Sequence, residues 1–199
     1  MAGAFPISTA QFESLGIKSI QNTIISKSVS GKKLARQIDG QRWGFTARII
    51  TAKRSDVYGQ LMAFIIKQRS GKENFTIVPP EVEDARGTAS GTPTGTGSAG
   101  DTSITLGGTG TGTLKAGDFI KFANHSKVYM VVADQSDIST GSVTIEPPLT
   151  TAVSSSDIQY DDVPFTVYLT NDIQEFGVVG AGQDGTLLYQ FEFDVEEAL

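Results

Sequence analysis

The chain of 199 residues contains no cysteine and a single histidine, His125. Without cysteine it cannot form disulfides, zinc–thiolate sites or a thiol nucleophile. One imidazole is too few for most metal sites and for any mechanism that needs two histidines. Catalysis would have to use carboxylates or lysines, which every soluble protein carries in number. These absences disfavour an enzyme.

Long apolar runs are also absent. No window reaches the roughly 18 uninterrupted apolar residues of a membrane-spanning helix, and the first residues show neither a basic leader nor an apolar signal core. The composition, 39% hydrophobic and 19% charged, is typical of a folded chain. We therefore expect synthesis in a cytoplasm without export by the usual route, no membrane partner, and one main core with an elaboration.

Charge is divided unevenly along the chain, although the net formal charge is only −6. Residues 1–80 hold 12 Lys and Arg against 4 Asp and Glu, a balance of +8, and residues 81–199 hold 4 against 18, a balance of −14. The basic residues accompany no helix-turn-helix or RNA-recognition motif, which disfavours specific nucleic-acid binding. Two interpretations stay open: the halves complement each other within one fold, or they meet between copies in a head-to-tail ring.

Hydrophobic patterning in the first 50 residues predicts strands. Residues 16–28 mix β-branched and polar residues, which favours one extended strand or two short ones. A turn signal follows at Asp39-Gly40, and residues 41–50 then alternate strictly. The predicted core face of this strand consists of Trp43, Phe45, Ala47 and Ile49. We assign Trp43 to the core rather than to a platform for stacking sugars or bases.

The segment that begins at Ser55 predicts the best helix in the chain. Ser55 is a candidate N-cap, Asp56 complements the helix dipole, and Gly71 is the stop signal after two basic residues. The predicted apolar stripe consists of Val57, Tyr58, Leu61, Met62, Ile65 and Ile66. We expect this stripe to pack on the sheet face that carries Trp43 and Phe45.

A composition break follows the strand-like run 75–78, which the Pro79-Pro80 pair must end. Residues 87–112 are dominated by Gly, Thr and Ser, and we interpret them as a linker with one strand island, SITL. Three short β-rich runs follow, at 116–122, 127–134 and 142–148, and residues 150–157 are interpreted as a loop. With the SITL island, these runs are sufficient for a small barrel.

Two long strands close the sequence, VPFTVYLT and TLLYQFEFDVEE, joined by a glycine-rich connection. In the second, apolar residues alternate with polar ones, and we assign Glu192, Glu196 and Glu197 to its exposed face. These long strands suit pairing with the strand at Trp43 better than addition to a small barrel. The predicted fold is mainly β, a β-sandwich with one helix, with residues 1–86 plus 159–199 as one domain and residues 87–158 as a separable inserted barrel.

Four short motifs suggest chemistry, and in each the structural interpretation is favoured. Residues 95–100, GTGSAG, match G-x-G-x-x-G but lie between no predicted strand and helix, so we interpret them as linker. Residues 30–33, SGKK, lack the upstream glycine of a P-loop. Asp161 and Asp162 are adjacent, so they point apart on an extended chain, and His125 is a turn residue with no second ligand. We assign no catalytic, cofactor-binding or metal-binding residue and no cofactor.

Several segments together carry a family resemblance. They are the strand QRWGFTARI, the helix SDVYGQLMAFI, the closing strand FEFDVEEAL and, most specifically, L-x-x-G-D-(F/L)-x-K-x-x-x-H-x-K-V-Y at Leu114–Tyr129. In this order and spacing the chain resembles the distal tail proteins of tailed bacteriophages, especially forms with an inserted OB-like barrel. The opening FPISTAQF is also similar to that of phage baseplate proteins.

The resemblance implies a structural virion protein. Residues 1–86 and 159–199 would form the wall of a hexameric ring between the tail tube and the baseplate hub or tip, with the OB-like barrel, residues 87–158, projecting outward. The implied neighbours are further copies of the chain, the tail tube protein, hub or tip proteins, and receptor-binding or side-fibre proteins. Two alternatives stay open: a carbohydrate-binding or host-adhesin accessory module that uses the barrel, and an enzyme such as a cell-wall hydrolase.

Overall fold

The computed structural model describes residues 3–8, 11–38 and 40–199, in which fourteen strands and one α-helix occur. In chain order the elements are β1 Phe12–Ile20, β2 Thr23–Lys27, β3 Lys33–Gln37, β4 Arg42–Lys53, a π-helical turn Arg54–Tyr58, α1 Gly59–Lys67, β5 Phe75–Ile77, β6 Pro93–Gly97, β7 Ser103–Gly108, β8 Phe119–Phe122, β9 Val128–Val131, β10 Ser142–Glu146, β11 Val153–Gln159, β12 Phe165–Leu169, β13 Phe176–Ala181 and β14 Leu187–Glu197. Within the described ranges, no helix combines the length and apolarity needed to cross a membrane.

The strands form three groups. A six-stranded antiparallel sheet has the order β1–β4–β14–β12–β5, and β13 pairs with the first part of β14. A closed barrel has the order β10–β7–β6–β11–β8–β9, and β2 pairs with β3 in a separate hairpin. The predicted fold class, mainly β with one helix and a small barrel, is confirmed. Two strands cross the segment 16–28, as one of the two predictions for it had it, but only β2 is short, since β1 has nine residues and begins at Phe12. Asp39 of the predicted turn lies outside the described residues.

Strand β4 occupies the centre of the sheet core because its alternation is continued by the strand beside it. The predicted inward residues of β4 are all buried, namely Trp43, Phe45, Ala47 and Ile49. In β14, Phe193 pairs with Ala47 and Val195 with Phe45. These residues belong to one buried cluster, which also contains Leu61 and Ile65 of the helix. The predicted pairing of the last strand with the Trp43 strand is therefore confirmed.

The helix differs from its prediction at both ends. Strand β4 runs on to Lys53, so Ser55 falls inside the π-helical turn and its hydroxyl donates to Asp56 at 2.8 Å instead of capping the helix. The chain leaves the helix through Arg69, in the left-handed conformation with φ 53°, before Gly71 is reached. Ile66 is 69% exposed, because it lies about 100° around the helix from buried Ile65 and misses the sheet.

The predicted SITL island is strand β7, but the rest of the predicted linker 87–112 also supplies a barrel strand, β6. The motif at 95–100 therefore begins in a strand, but a turn into β7 follows it, where a dinucleotide site needs a helix. A methyl group at Gly95 would lie 2.5 Å from the ring of buried Phe122, so this strand uses glycine because the barrel interior leaves no room. Glycine otherwise weakens strands, which is why composition predicted a linker.

Two further segments were predicted to be loops and are strands. Strand β11 begins in the segment 150–157 and continues to Gln159, and it pairs with both β6 and β8, although only Val153 and Ile158 of it are buried. Strand β13 lies in the glycine-rich connection and pairs with β14. Both carry too few core residues to show an alternating pattern, so the pairing partners, which are distant in sequence, decide their conformation.

Candidate assembly surfaces

A buried ion pair joins the barrel to the end of the sheet. Lys127 Nζ donates to Glu197 Oε2 at 2.5 Å, and the two side chains are 2% and 0% exposed. The same carboxylate accepts hydrogen bonds from the backbone N–H groups of Trp43, at 3.1 Å, and Val128, at 2.9 Å. Lys127 also donates to Gln41 at 2.9 Å. Both charges are thus paired and hydrogen-bonded, as buried charges must be.

Aromatic rings continue this junction between barrel and sheet. The Trp43 indole N–H donates to the carbonyl of Val128 at 2.9 Å, and its ring meets Phe119 of the barrel edge-on, with centroids 5.0 Å apart. Phe119 in turn packs on Phe165 of the sheet. The assignment of Trp43 to the core is confirmed. Burial lowers the pKa of Lys127, and Glu197 opposes this shift by stabilising the ammonium.

The assignment of Glu197 to an exposed face is wrong. It follows Phe193 and Val195 at intervals of two, so strand alternation itself points it inward. Glu196 is half-buried and pairs with Arg42 at 3.1 Å, whereas Glu192 is exposed as predicted. The sequence pattern did not predict the burial of Glu197, because a carboxylate is seldom buried without a partner. Its partner, Lys127, lies 70 residues away in the sequence.

The candidate motif residues outside the junction serve local structure. Asp161 and Asp162 are exposed, and no group of three or more metal-ligating side chains occurs in the described ranges. His125 lies in a turn, where its ring nitrogens contact Asn124 and Tyr129, each at 2.8 Å. Burial, together with the charges of two nearby lysines, lowers the pKa of His125. Residues 30–33 lie at the turn of the hairpin β2–β3.

Two chain segments connect the barrel to the sheet, and they run side by side. Ala85 donates to the carbonyl of Tyr160, and Val163 donates to the carbonyl of Glu83. The Glu83 atom Oε2 is buried and, among the described residues, meets no hydrogen-bond donor. Burial raises the pKa of Glu83, and the neighbouring carboxylates, Asp84 first, raise it further. Ionised Glu83 is therefore a destabilising feature of this connection.

Replacement of Glu83 by glutamine should stabilise the protein at neutral pH. The folded-state pKa of Glu83 lies above its unfolded value, because the folded protein favours the neutral carboxyl. The stability that the neutral carboxyl contributes is complete below the unfolded pKa and is lost as pH rises through the folded-state pKa. Urea unfolding should show equal stabilities near about pH 4 and a more stable variant near about pH 7. Glu81→Gln, at an exposed neighbour, is the control; an equal gain there would contradict the role of Glu83 burial.

The hairpin β2–β3 is exposed on both faces. Every residue of both strands is solvent-exposed, including the apolar side chains of Ile24, Ile25 and Leu34. Lys27 and Lys33 stand directly opposite each other near its tip. An isolated two-stranded hairpin is marginally stable in water. In the sequence this hairpin is marked by the complete absence of Asp and Glu from residues 14–38.

A second exposed surface borders the outer strand β13. A groove there is lined by residues of the β4–β14–β13 region and the loop before β13, among them Ile173, Glu175, Val179 and Glu192. Ile173 is 85% exposed, and Val178 and Val179 of β13 are also exposed. Exposed apolar side chains that cluster in this way mark an interaction surface more often than an inert one. The hairpin and this groove are the two candidate assembly surfaces.

Comparison with known proteins identifies the barrel. Residues 81–161 match the family model described as "Distal tail protein pb9, B domain", and this range contains all six barrel strands, β6 to β11. Curated protein sequences contain no match to the chain. The family match confirms the resemblance found in the sequence. Residues 81–161 are thus similar to the B domain of a tailed-bacteriophage distal tail protein, a structural component of the virion tail.

Proposed function

We propose that copies of this chain form a closed, hexameric ring at the distal end of the tail, where the ring joins the tail tube to the baseplate hub or tip. The observation that carries the proposal is the hairpin β2–β3, which exposes apolar side chains on both faces. Apolar surface of this kind gains free energy when it is removed from water. Within a ring, each hairpin would be covered by a neighbouring copy.

The charge division supports both interpretations that the sequence left open. Among the described residues, three ion pairs join residues 1–80 to residues 81–199: Lys18–Asp194, Arg42–Glu196 and Lys53–Asp184. The basic residues of the hairpin, in contrast, take part in no ion pair among the described residues. The three ion pairs stabilise the fold, and the basic residues of the hairpin remain available to a partner.

We also propose that residues 1–86 plus 159–199 form the ring wall and that residues 87–158 project from it as the inserted OB-like barrel. The sheet takes its strands from both chain ends, and the barrel has its own buried cluster, which supports this division. Phe119 and Val128 of the barrel belong to the sheet cluster. The two parts therefore share an interface, and the barrel would be held at a fixed orientation to the ring.

A carbohydrate-binding or adhesin role for the barrel lacks support from its aromatic residues. Phe119, Phe122 and Tyr129 are the barrel aromatics that could stack on a sugar, and all three are buried. Phe119 contacts Trp43 and Phe165 of the sheet instead. The barrel therefore presents none of these rings to a ligand.

The ring proposal predicts assembly that weakens with salt. Sedimentation velocity of the purified chain should show a closed oligomer at about 50 mM NaCl and a shift towards monomer at about 500 mM, because salt screens exposed charges. Imaging of the oligomer by negative stain should show a ring of six copies. A chain that stays monomeric at low salt and high concentration, alone and with the tail tube protein, would contradict the proposal.

A further inference from the structure

We infer that the hairpin β2–β3 of one copy lies along strand β13 of a second copy and fills the groove beside it. The inference rests on the proposed ring and names its contact. The two surfaces are different patches of the chain, so such a contact is heterologous: each copy uses its hairpin on one neighbour and its groove for the other. Contacts of this type close into rings when the rotation between copies permits.

The hairpin requires an anionic and apolar partner. Lys27 and Lys33 are cross-strand neighbours, an arrangement that is unfavourable without a counter-charge. Lys32 and Arg36 add two further cations, and none of the four forms an ion pair among the described residues. Ile25 shares the face of the opposed lysines, and Leu34 lies on the other face. Charge and apolar area therefore occur together on the same small element.

The groove beside β13 has the complementary composition. Glu175 and Glu192 line it and, in the described part of the chain, form no ion pair, while the apolar lining comes from exposed Ile173 and Val179. Its one basic lining residue, Arg48, is already engaged. It stands opposite Glu192 in the β4–β14 register, but its guanidinium pairs with Glu13 at 3.5 Å and donates to Gln190 at 2.5 Å. The groove is thus acidic and apolar, and its own cation does not neutralise it.

Backbone pairing favours the same contact. Among the described strands, β13 pairs with β14 alone, and β2 and β3 pair only with each other. Each of these strands therefore has a free edge of N–H and C=O groups. An exposed edge is a template for a strand from another chain, which would add hydrogen bonds to the charge and apolar contacts.

A second groove fits the hairpin less well. It lies between strand β1 and the segment 80–82, and its carboxylates are Glu13 and Glu81. Glu13 already pairs with Arg48, which leaves Glu81 as the free anion of that surface. The groove beside β13 offers two carboxylates outside the described ion pairs, and its Ile173 and Val179 are more exposed than Ile17 of the second groove. We therefore choose the groove beside β13, and the second groove becomes the control.

Charge reversal in the full chain tests the contact. The double variants Lys27→Glu/Lys33→Glu and Glu175→Lys/Glu192→Lys should each weaken assembly by about tenfold or more, measured by sedimentation at low salt. The quadruple variant should regain assembly, because the charges are then exchanged between the surfaces. The control Lys67→Glu/Lys72→Glu makes the same change in net charge as Lys27→Glu/Lys33→Glu, but at exposed lysines elsewhere. This control should assemble like the wild type.

Disulfide trapping gives a second readout. Because the chain has no native cysteine, only the introduced cysteines can form disulfides. Ser26→Cys combined with Val179→Cys should yield a ladder of covalent oligomers on oxidation, whereas Ser26→Cys with Ser14→Cys, in the control groove, should not. If the wild type forms a ring but the reversed variants assemble equally and only the control pair cross-links, the inference is overturned and the ring stands. A wild type that stays monomeric at low salt and high concentration, alone and with the tail tube protein, removes both.

Discussion

Replacement of Glu197 by alanine is expected to destabilise the folded protein by about 3–5 kcal/mol, because it leaves the buried ammonium of Lys127 without its carboxylate. Lys127 is 2% exposed and would keep one hydrogen bond, to Gln41. The backbone N–H groups of Trp43 and Val128 would also lose their acceptor. Urea unfolding followed by tryptophan fluorescence measures this loss directly, since Trp43 is the single tryptophan and lies at the junction.

The neighbouring residue provides the matched control. Glu196 pairs with Arg42 at the ends of the central strands β14 and β4, where both side chains remain partly exposed, so Glu196→Ala should cost under about 1 kcal/mol. Lys127→Met combined with Glu197→Leu removes both buried charges and should recover much of the stability lost by Glu197→Ala alone. Equal losses for Glu196→Ala and Glu197→Ala would show that the buried pair does not hold the junction.

Replacement of Leu61 by alanine is expected to cost about 2–5 kcal/mol, through lost burial and the cavity left behind. Leu61 is fully buried in the cluster that contains Phe45 and Phe193. Gln60 precedes it on the exposed side of the helix, so Gln60→Ala should change stability by less than about 0.5 kcal/mol. Thermal or urea unfolding of both variants compares the two faces, and similar losses at both positions would refute the assigned packing.

Patterns that depend on near neighbours in sequence predicted their structure well. The alternation of residues 41–50 gave the inward face of β4, because successive side chains of a strand point to opposite sides whatever the strand pairs with. The buried face of the helix was also predicted from local spacing, because side chains that repeat every 3.6 residues lie on one side of a helix. The family resemblance also came from local segments, above all from Leu114–Tyr129 in the barrel.

Features that depend on distant residues were missed. Gly95 looks like linker until Phe122 is placed against it, and Glu197 looks exposed until Lys127 is placed beside it. Strand β13 has no buried residue to mark it and is a strand because β14 pairs with it. Of the hairpin, only β2 lay in a predicted strand segment, residues 16–28, and β3 was not predicted. Nothing in the local pattern shows that both faces of the hairpin remain uncovered.

By itself the sequence determined the mainly β class, the single helix, the central strand and the resemblance to distal tail proteins, since each depends on a short segment and on the types of side chain within it. Tertiary structure alone decided which glycines line the barrel, which carboxylate is buried at the junction, and which charged and apolar side chains remain without a partner in the chain. The physical reason is that burial and ion pairing are properties of two surfaces in contact, and here those surfaces come from residues as far apart as Trp43 and Glu197.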